Sequence, residues 1–487
     1  MSQKPDQKLV SVLSALPEGV TLDHYVEHEH TIELFVNWNE PERSKRVCPH
    51  CYSNRCVKKD GGASQTVRHL SSVNAGLLIT FHKPRFICKD CGRSFFLKPD
   101  WVHENLSISK TLQFKICLEL TSSTKCLKQI AVDTCTTPAI VKSVMDHIVL
   151  QKPSRLPETL GIDEFHGQTG KYNKKSRHFD TEKYHCVITD HDNSCVIDIL
   201  YKATFRELHS YFMEYHPIVR QQVRFFCSDM RSGFSKVARA CFPHAKICID
   251  LFHVVKLLAE AISSIRVTSW RSLNDKASSA LASANAFKEN GDTASYERKK
   301  IESKKLKADA DLVKNSQRVL VTSPYNESAY WNRNAERRQE RLNEIFSIAP
   351  DLKTAYEALE EFYILSSIPA FKGQRNQLSE WIEKYRSCDI PEVHQAARSI
   401  EVHRKGIENS WRYNKSNGPT EGLNRKIKDC RRMAFGAHDF ENFRKRVLMA
   451  CGSCKVFYTA YTVFNEKMSS YNDHTEAHND QNIDKEV

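Results

Sequence analysis

The chain has 487 residues, of which 40% are hydrophobic and 27% charged, so it has a globular rather than a disordered or fibrous composition. At roughly 100–200 residues per domain, this length predicts about two to four domains. Lys and Arg outnumber Asp and Glu by 72 to 59, and the net charge of +13 favours a polyanionic partner, most commonly nucleic acid.

Two kinds of membrane or export segment are not expected. No run of about 18 apolar residues occurs, as a membrane-spanning helix requires. The N-terminus also lacks the apolar core of a secretory signal. In the reducing compartment that this implies, 17 cysteines serve as metal ligands, catalytic groups or small buried side chains rather than disulfides.

The first 40 residues predict a short helix followed by a strand. In TIELFVNW the apolar positions alternate, which places Ile32, Leu34 and Val36 on one face of that strand.

Two C-x-x-C pairs follow, Cys48-Pro-His-Cys51 and Cys88-Lys-Asp-Cys91. Four thiolates in two such pairs suit a tetrahedral structural Zn²⁺ ion. The spacer is long, so the hairpin between the pairs must be extended. The basic and aromatic surroundings are typical of a zinc ribbon: Lys83, Arg85, Phe86, Arg93, Phe95 and Phe96.

Other candidate ligands stay open at this point. His50 and Cys56 are spare candidates for the same ion. A third pair, Cys451-Gly-Ser-Cys454, has no partner pair and no preceding strand of the kind found in redox C-x-x-C proteins, so we interpret it as structural.

The segment after the cysteines predicts two short helices joined by a turn. A first helix is expected near residues 127–132, and a second begins at Pro138 with Thr136 or Thr137 as N-cap. This is the form of a helix-turn-helix, which lays its second helix in the major groove. Lys142 would face solvent and contact phosphate. The alternative is an ordinary helical hairpin.

Strands then alternate with helices, which favours an α/β layered fold. The predicted strands are TLGIDEF, YHCVITD, SCVIDILY, VRFFCSD and AKICID, and the predicted helices are FRELHSYFMEY, SGFSKVARACF and the stretch from His253 onward.

Strand signals nearly vanish in the next part of the chain, which we predict to be all-helical. Leu352, Tyr356, Leu359 and Phe362 fall on one helical face there. A basic helical pattern returns after it, and the polar C-terminus is predicted to be disordered. We expect these segments: 1–44 N-terminal, 45–100 zinc ribbon, 101–152 helix-turn-helix, 153–260 first part of the α/β core, 261–410 helical insertion, 411–465 final core helices, and 466–487 tail.

Two aspartates stand at the ends of predicted strands. Asp163 of GIDEF lies in or at the end of one apolar strand, and Asp229, the last residue of VRFFCSD, directly follows another. Carboxylates there are costly to bury unless they are paired or bind metal. One sheet can bring both to the same edge, where oxygen ligands hold Mg²⁺ or Mn²⁺ and two ions can promote phosphodiester chemistry. The alternative is that each aspartate caps the following turn.

Three further side chains are candidates for the same edge. Asp250 ends the last predicted strand, and His253 opens the next helix. Glu421 lies in the first turn of a helix that starts near Gly418, where it either joins the acids or only complements the helix dipole. A basic run that suits a phosphate backbone follows it: Arg425, Lys426, Lys428, Arg431 and Arg432.

These motifs together resemble a known family. The run GIDEF, then SDM and FPHAKICIDLFHVVK, then NGPTEGLNRKIKDCRRMAFGAHDFENFRKRVL is similar to insertion-sequence transposases of the DDE type, specifically the ISL-three group. The CPHC and ICKDCGRSFF ribbon and the helix-turn-helix resemble the N-terminal half of that group. The resemblance covers most of residues 45–455.

The resemblance implies an RNase H-like α/β catalytic core interrupted by an all-helical insertion that helps to hold DNA or a partner subunit. It implies that Asp163, Asp229 and Glu421 are the catalytic acids and bind Mg²⁺ or Mn²⁺. Asp250 is the alternative to Asp229 as the second acid. Asp250 and His253 match a motif found near the site in related groups.

The implied activity is cleavage and strand transfer of double-stranded DNA at the terminal inverted repeats of an insertion sequence. The implied protein works as a homodimer or larger assembly in the cytoplasm of a prokaryotic-type cell, at the nucleoid. One alternative is a domesticated, catalytically silent DNA-binding regulator. Another is a different metal-dependent nuclease such as a junction resolvase. The long N-terminal region, with its zinc ribbon and helix-turn-helix, disfavours that alternative.

Overall fold

The computed structural model describes residues 16–42, 46–70, 75–323, 325–326, 329–368, 371–433 and 439–452. The short helix expected near the N-terminus, Cys454 and the expected disordered tail lie outside these ranges. Within them, no helix is long and apolar enough to cross a membrane.

A five-stranded sheet carries the cysteine pairs. Its order is β1-β2-β4-β3, with β5 paired to β4, and only β2 and β4 run parallel. The alternation predicted for Ile32, Leu34 and Val36 is confirmed, since all three are buried. The extended hairpin between the cysteine pairs is also confirmed, whereas β1 was not predicted. The strands are β1 (Val20–Glu27), β2 (Thr31–Trp38), β3 (Cys56–His69), β4 (Gly76–Cys88) and β5 (Ser94–Phe96).

A three-helix unit follows, made of α1 (Lys110–Leu120), α2 (Leu127–Asp133) and α3 (Pro138–His147). The predicted start of α3 is confirmed: Thr137 is the N-cap, and its hydroxyl accepts from the backbone N–H of Ile140 at 3.4 Å. The buried apolar side chains of all three helices form one core.

The second sheet has the order β10-β9-β6-β7-β8, in which β6, β9 and β10 are parallel and β7 and β8 form an antiparallel meander with β6. Every strand predicted for this region is confirmed. The strands are β6 (Thr159–Asn173), β7 (His178–Asp190), β8 (Cys195–Leu200), β9 (Phe225–Ser228) and β10 (Lys246–Ile249).

Helices cover both faces of this sheet. One face packs against α4 (Phe205–Met213) and α6 (Ser232–Cys241), with the short α5 (Pro217–Gln221) beside them. The other face packs against α15 (Gly418–Met433) and α16 (Phe440–Cys451). The chain is therefore a mixed α/β protein with a layered core.

A block of helices stands between β10 and α15. No strand occurs in the described part of this stretch, as predicted, and Leu352, Leu359 and Phe362 share a buried face. The expected boundary between residues 260 and 261 lies inside α7, which runs for 39 residues without a break. The helices are α7 (Leu251–Glu289), α8 (Thr293–Lys314), α9 (Gln317–Val321), α10 (Tyr330–Arg333), α11 (Ala335–Ile348), α12 (Asp351–Ser367), α13 (Phe371–Arg386) and α14 (Pro391–Tyr413).

The block is anchored to the edge strand β10 through α14. Ser410 Oγ donates to the carbonyl oxygen of Ile249 at 2.6 Å, and Asn409 Nδ2 donates to that of Ile247 at 2.8 Å. Gly406 permits this approach, because a Cβ there would lie 2.5 Å from Ile249 Cγ1. The outer carbonyls of the strand thus have partners, and α14 is fixed beside the end of β10.

Candidate active site

The strand register brings three carboxylates to one sheet edge. Gly161 pairs with Cys227 across β6 and β9, so Asp163 and Asp229 each lie two residues beyond that pair. Ser228 pairs with Ile249 across β9 and β10, and the next residue on each strand is an aspartate, Asp229 and Asp250. Because neighbouring parallel strands lie about 4.8 Å apart, the three side chains stand in a row.

The N-terminal turn of α15 adds Glu421 to this row. Thr420 Oγ1 is hydrogen bonded to Thr189 Oγ1 at 2.7 Å and to His191 Nε2 at 2.8 Å. Just before the helix, Asn417 Nδ2 donates to the carbonyl oxygen of Ile162 at 3.2 Å. These contacts fix the first turn of α15 on β6 and β7, so the position of Glu421 is set by its neighbours on both sides.

Gly161 allows the close contact between α15 and the sheet. A Cβ at this position would lie 2.4 Å from both Thr189 Oγ1 and Thr420 Oγ1 and 2.0 Å from His191 Nε2. Carbon atoms do not approach polar atoms so closely, so a larger residue would push the helix away. The glycine of the GIDEF motif is therefore needed for packing next to the first acid.

Asn424 holds the carboxylate of Asp163. Its Nδ2 donates to Asp163 Oδ2 at 2.8 Å, and Asp163 Oδ1 accepts from the backbone N–H of Glu164 at 2.8 Å. A carboxylate only accepts hydrogen bonds, so the NH₂ group of Asn424 must face it. The buried Oδ1 of Asn424 then has no partner within the described chain.

Three side chains form a compact set of ligand atoms. One donor atom each from Asp250, His253 and Glu421 lies within 4.8 Å of the others. Asp250 Oδ1 caps α7 by accepting from the backbone N–H of Phe252 at 3.2 Å, whereas its buried Oδ2 has no partner in the described structure. Carboxylate oxygens with an imidazole suit a divalent cation.

The acids share an environment that disfavours negative charge. Burial raises the pKa of Asp163 to about 7, and the nearby carboxylates of Asp229 and Glu421 add to this rise. Burial also raises the pKa values of Asp229 and Asp250. Like charges held out of water destabilise one another, and a bound divalent cation would neutralise them. The donor atoms and their charge thus fit Mg²⁺ or Mn²⁺.

The structure brings Asp163, Asp229, Asp250, His253 and Glu421 together, since the other four all act on the carboxyl of Asp163. The expected DNA-binding residues lie further along α15, beginning one turn after Glu421, and on α3. Arg425, Lys428 and Arg432 are exposed at helical spacing on α15, and Lys426 is exposed beside them. Arg431 is half-buried and donates to the carbonyl oxygen of His166. Lys142 lies on α3 and pairs with Asp146 at 2.7 Å.

Sequence reasoning missed the polar residues that position the acids. Asn417, Thr420 and Asn424 fall three or four residues apart around Glu421, which is the spacing of one helix face. Polar side chains on the buried face of a helix need hydrogen-bond partners. The run of polar residues on one face was therefore the sequence signal that could have identified them as positioning residues.

The four cysteines of the two C-x-x-C pairs converge on one point. All four Sγ atoms lie within 4.8 Å of one another, with Cys48 and Cys91 3.7 Å apart and Cys51 and Cys88 3.6 Å apart. The backbone N–H groups of Cys91 and Asp90 lower the pKa of Cys88 to about 6, which favours the thiolate. Such a set fits tetrahedral Zn²⁺.

The two spare candidates have other roles in the structure. The backbone N–H of His50 donates to Cys48 Sγ at 3.4 Å, so its contribution comes from the main chain. Cys56 is buried against Cys48 and Cys88 as part of the packing around the cluster. Neither belongs to the group of four ligand atoms found in the described residues.

Comparison with known proteins gives concordant matches. A family model described as Transposase, for DDE enzymes of the ISL3 group, matches residues 160–447, which is more than half of the chain. A model for the zinc-finger of the transposases of IS204, IS1001, IS1096 and IS1165 matches residues 44–91.

Two curated relatives carry related descriptions. The transposase for insertion sequence element IS1001 of Bordetella parapertussis is 21% identical over 426 residues, covering 86% of this chain and 91% of the relative. The transposase for insertion sequence element IS1557 of Mycobacterium tuberculosis is 26% identical over 277 residues, covering 57% of this chain and 56% of the relative.

Proposed function

Because the chain belongs to the ISL3 family of DDE transposases, we propose that it binds the terminal inverted repeats of an insertion sequence and catalyses metal-dependent DNA cleavage and strand transfer. The observation that carries this proposal is the row of carboxylates at the edge of the second sheet, with Glu421 added by α15.

The catalytic core is proposed to be RNase H-like. Its support is the order β10-β9-β6-β7-β8, with three antiparallel strands followed by two parallel ones and helices on both faces. Helices α7 to α14 are then an insertion between the last strand and the helix of the third acid. Their anchoring to β10 through α14 keeps this insertion next to the acids.

Asp163, Asp229 and Glu421 are proposed to hold Mg²⁺ or Mn²⁺. The bound ions would supply Lewis-acid stabilisation and a more acidic water or 3′-hydroxyl. The chain's own contribution is to fix the acids: Asn424 orients Asp163, the Thr420 contacts set Glu421, and β9 presents Asp229. Asp250 and His253 stand beside them, and Asp250 stays the rival for the second acid.

The DNA contacts are proposed to come from three elements. The exposed cations of α15, namely Arg425, Lys426, Lys428 and Arg432, would neutralise phosphates close to Glu421, and Arg431 would support that face through its contact with His166. Helix α3, with Lys142 next to its exposed face, would enter the major groove. The zinc ribbon, with a structural Zn²⁺ ion, would complete recognition of the repeats.

The proposed partner is double-stranded DNA, both as transposon ends and as target. Two ends must be joined in one reaction, so the working form is proposed to be a homodimer or larger assembly. The expected place of action is the nucleoid in the cytoplasm of a prokaryotic-type cell. A catalytically silent regulator is disfavoured, because Asp163, Asp229 and Glu421 are all present at the same edge of the second sheet.

The first experiment is strand cleavage of DNA that carries the gene's own flanking ends, in Mg²⁺ or Mn²⁺, by the wild type and by Glu421→Gln. Cleavage by the wild type alone would support the enzyme and the role of Glu421. Binding of the ends by both proteins with cleavage by neither would favour the regulator. Equal cleavage by both would remove Glu421 from the site.

A further inference from the structure

Two shallow cavities lie on the side of the acids away from α15. One, of about 560 Å³, is formed along α14 and includes His394, Arg398 and His403 in its lining. The other, of about 600 Å³, is lined by residues of α4 and α6, namely Phe205, Lys236, Arg239 and Ala240. Helix α6 covers the face of the second sheet opposite to α15, and α14 lies along its edge strand.

His403 connects these cavities to the acids. It lies one turn before Gly406, where α14 contacts β10 most closely. Burial lowers the pKa of His403, and the charges of Asp229 and Arg239 both act on the same imidazole. Asp229 in turn is influenced by His403 and by Lys256 of α7. Asp229 is thus near Lys256 of α7 and His403 of α14, and His403 is in turn near Arg239 of α6.

The cations of the two cavities are not neutralised by the protein. Lys236, Arg239 and Arg398 are exposed, and the described part of the chain gives none of them an ion pair or a hydrogen bond. The residues that line the cavities include no carboxylate. By contrast, Lys384 pairs with Glu361 at 2.6 Å elsewhere in the helical block. Unpaired cations that surround a shallow groove attract a polyanion.

We propose that these two cavities form one surface, which we call the α6–α14 groove, and that it binds the phosphates of a DNA strand that continues past the scissile position. The inference rests on the proposed function and extends it, because the cations of α15 and those of the α6–α14 groove then hold DNA on opposite sides of the acids. Phe205, which is 43% exposed, adds an aromatic ring of the kind on which unpaired bases stack.

Two sources offer this phosphate backbone, namely the DNA that flanks the transposon end and the target DNA. The test uses three labelled duplexes: an end that stops at its terminal nucleotide, the same end extended by flanking DNA, and a target duplex. Binding of each is measured by fluorescence anisotropy over a range of salt concentrations, for the full-length wild type and the double variant Arg239→Gln, Arg398→Gln. The matched control is Arg271→Gln, Arg298→Gln, which removes two exposed arginines of α7 and α8.

The double variant should bind the extended end about tenfold more weakly, and the magnitude of the slope of log affinity against log salt should fall by about 1.8, because two phosphate contacts to a duplex are lost. Binding of the flush end and all binding by the control should equal the wild type. Weaker binding of the target duplex alone, with wild-type binding of the extended end, would overturn the assignment to flanking DNA and show that the α6–α14 groove binds target DNA instead. Wild-type affinity of the double variant for both extended and target DNA would overturn the proposal.

This outcome is separable from that of the proposed function. Cleavage is not needed for the binding assay, so a protein that binds ends but never cleaves them would fail the proposed function and still test the α6–α14 groove. Both arginines of the double variant are exposed, so its thermal unfolding should match that of the wild type.

Discussion

The side-chain amide of Asn424 donates from Nδ2 to Oδ2 of Asp163 over 2.8 Å, inside the buried contact between α15 and β6. The first proposed acid is thus held by the same helix that carries the third. Asn424→Leu should leave Asp163 without this partner and weaken Mn²⁺ binding by roughly 10–100-fold, as loss of an outer hydrogen bond does at metal sites.

Calorimetric titration of Mn²⁺ into the DNA-free protein would measure this change independently of turnover. The matched control is Asn343→Leu, at an exposed position of α11, which should bind Mn²⁺ like the wild type. Unchanged Mn²⁺ affinity in Asn424→Leu, in a protein that folds normally, would show that Asn424 does not position Asp163 for metal.

Asp229 and Asp250 can be separated by paired substitutions. Asp229→Asn should abolish cleavage of transposon ends, because Asp229 is the proposed second acid. Asp250→Asn should reduce cleavage by about tenfold, because it keeps the N-cap of α7 and removes only one negative charge beside the site. End binding should persist in both. A reversed order, with activity lost in Asp250→Asn and retained in Asp229→Asn, would make Asp250 the second acid, in line with its compact group with His253 and Glu421.

Gly161→Ala should displace α15 from the sheet. The added methyl would lie 2.4 Å from Thr420 Oγ1, next to Glu421, so cleavage should fall by at least about 100-fold and stability by about 1–3 kcal/mol, as expected for overpacking. End binding should change little, since α1 to α3 are remote from this contact.

Gly233→Ala in α6 is the matched control for this prediction, because its Cβ would meet no atom within 4 Å. It should cleave like the wild type. Wild-type cleavage by Gly161→Ala, with thermal unfolding also unchanged, would show that the helix tolerates the shift and that the contact does not set the position of Glu421.

The sequence predicted the strands of the second sheet and the acids at its edge because these depend on local patterns. A short apolar run followed by an aspartate is visible without the fold, and so is a C-x-x-C pair. The contact between Asn424 and Asp163 joins residues 261 positions apart, and the register that aligns Asp163 with Asp229 is set by strand pairing. Neither follows from local periodicity, so both became visible only in the structure.

The α6–α14 groove likewise could not be predicted from local sequence patterns. Arg239 and Arg398 stand in unrelated segments, and each is an ordinary surface cation by sequence. Their proximity to one imidazole or one cavity depends on the packing of α6 and α14 around the second sheet, which local sequence does not give. Charge counting gave the net value of +13 but not its distribution around the acids.

Cys48→Ser should remove the zinc ion from the first domain. The wild type should contain about one Zn²⁺ ion per chain, measured by atomic emission after dialysis, and the variant much less, with loss of the N-terminal fold. Cys388→Ser is the control, since Cys388 lies between α13 and α14, outside the group of four cysteines, and its thiol donates to the carbonyl oxygen of Ile390 at 3.7 Å. Equal zinc content in wild type and Cys48→Ser would contradict the zinc assignment.

Arg446 of α16 should couple the three-helix unit of α1 to α3 to the core. Its guanidinium is buried and donates to the carbonyl oxygens of Leu120, Ser122 and Lys125, which lie at the end of α1 and in the loop before α2. Arg446→Met would leave these carbonyls without their donor, at a cost of about 1–3 kcal/mol for each that stays dry.

The expected result is that α1 to α3 detach from the core, so that limited proteolysis cuts between residues 147 and 159 much faster than in the wild type. Zinc content should not change, because the cysteine cluster belongs to the first sheet. Arg298→Met, at an exposed position of α8, should be cut like the wild type. If α1 to α3 bind the DNA end, their detachment leaves the scissile phosphate free to shift relative to the acids. Cleavage by Arg446→Met should therefore also spread over several positions. Cleavage at one position, together with wild-type proteolysis, would show that α16 does not carry this coupling.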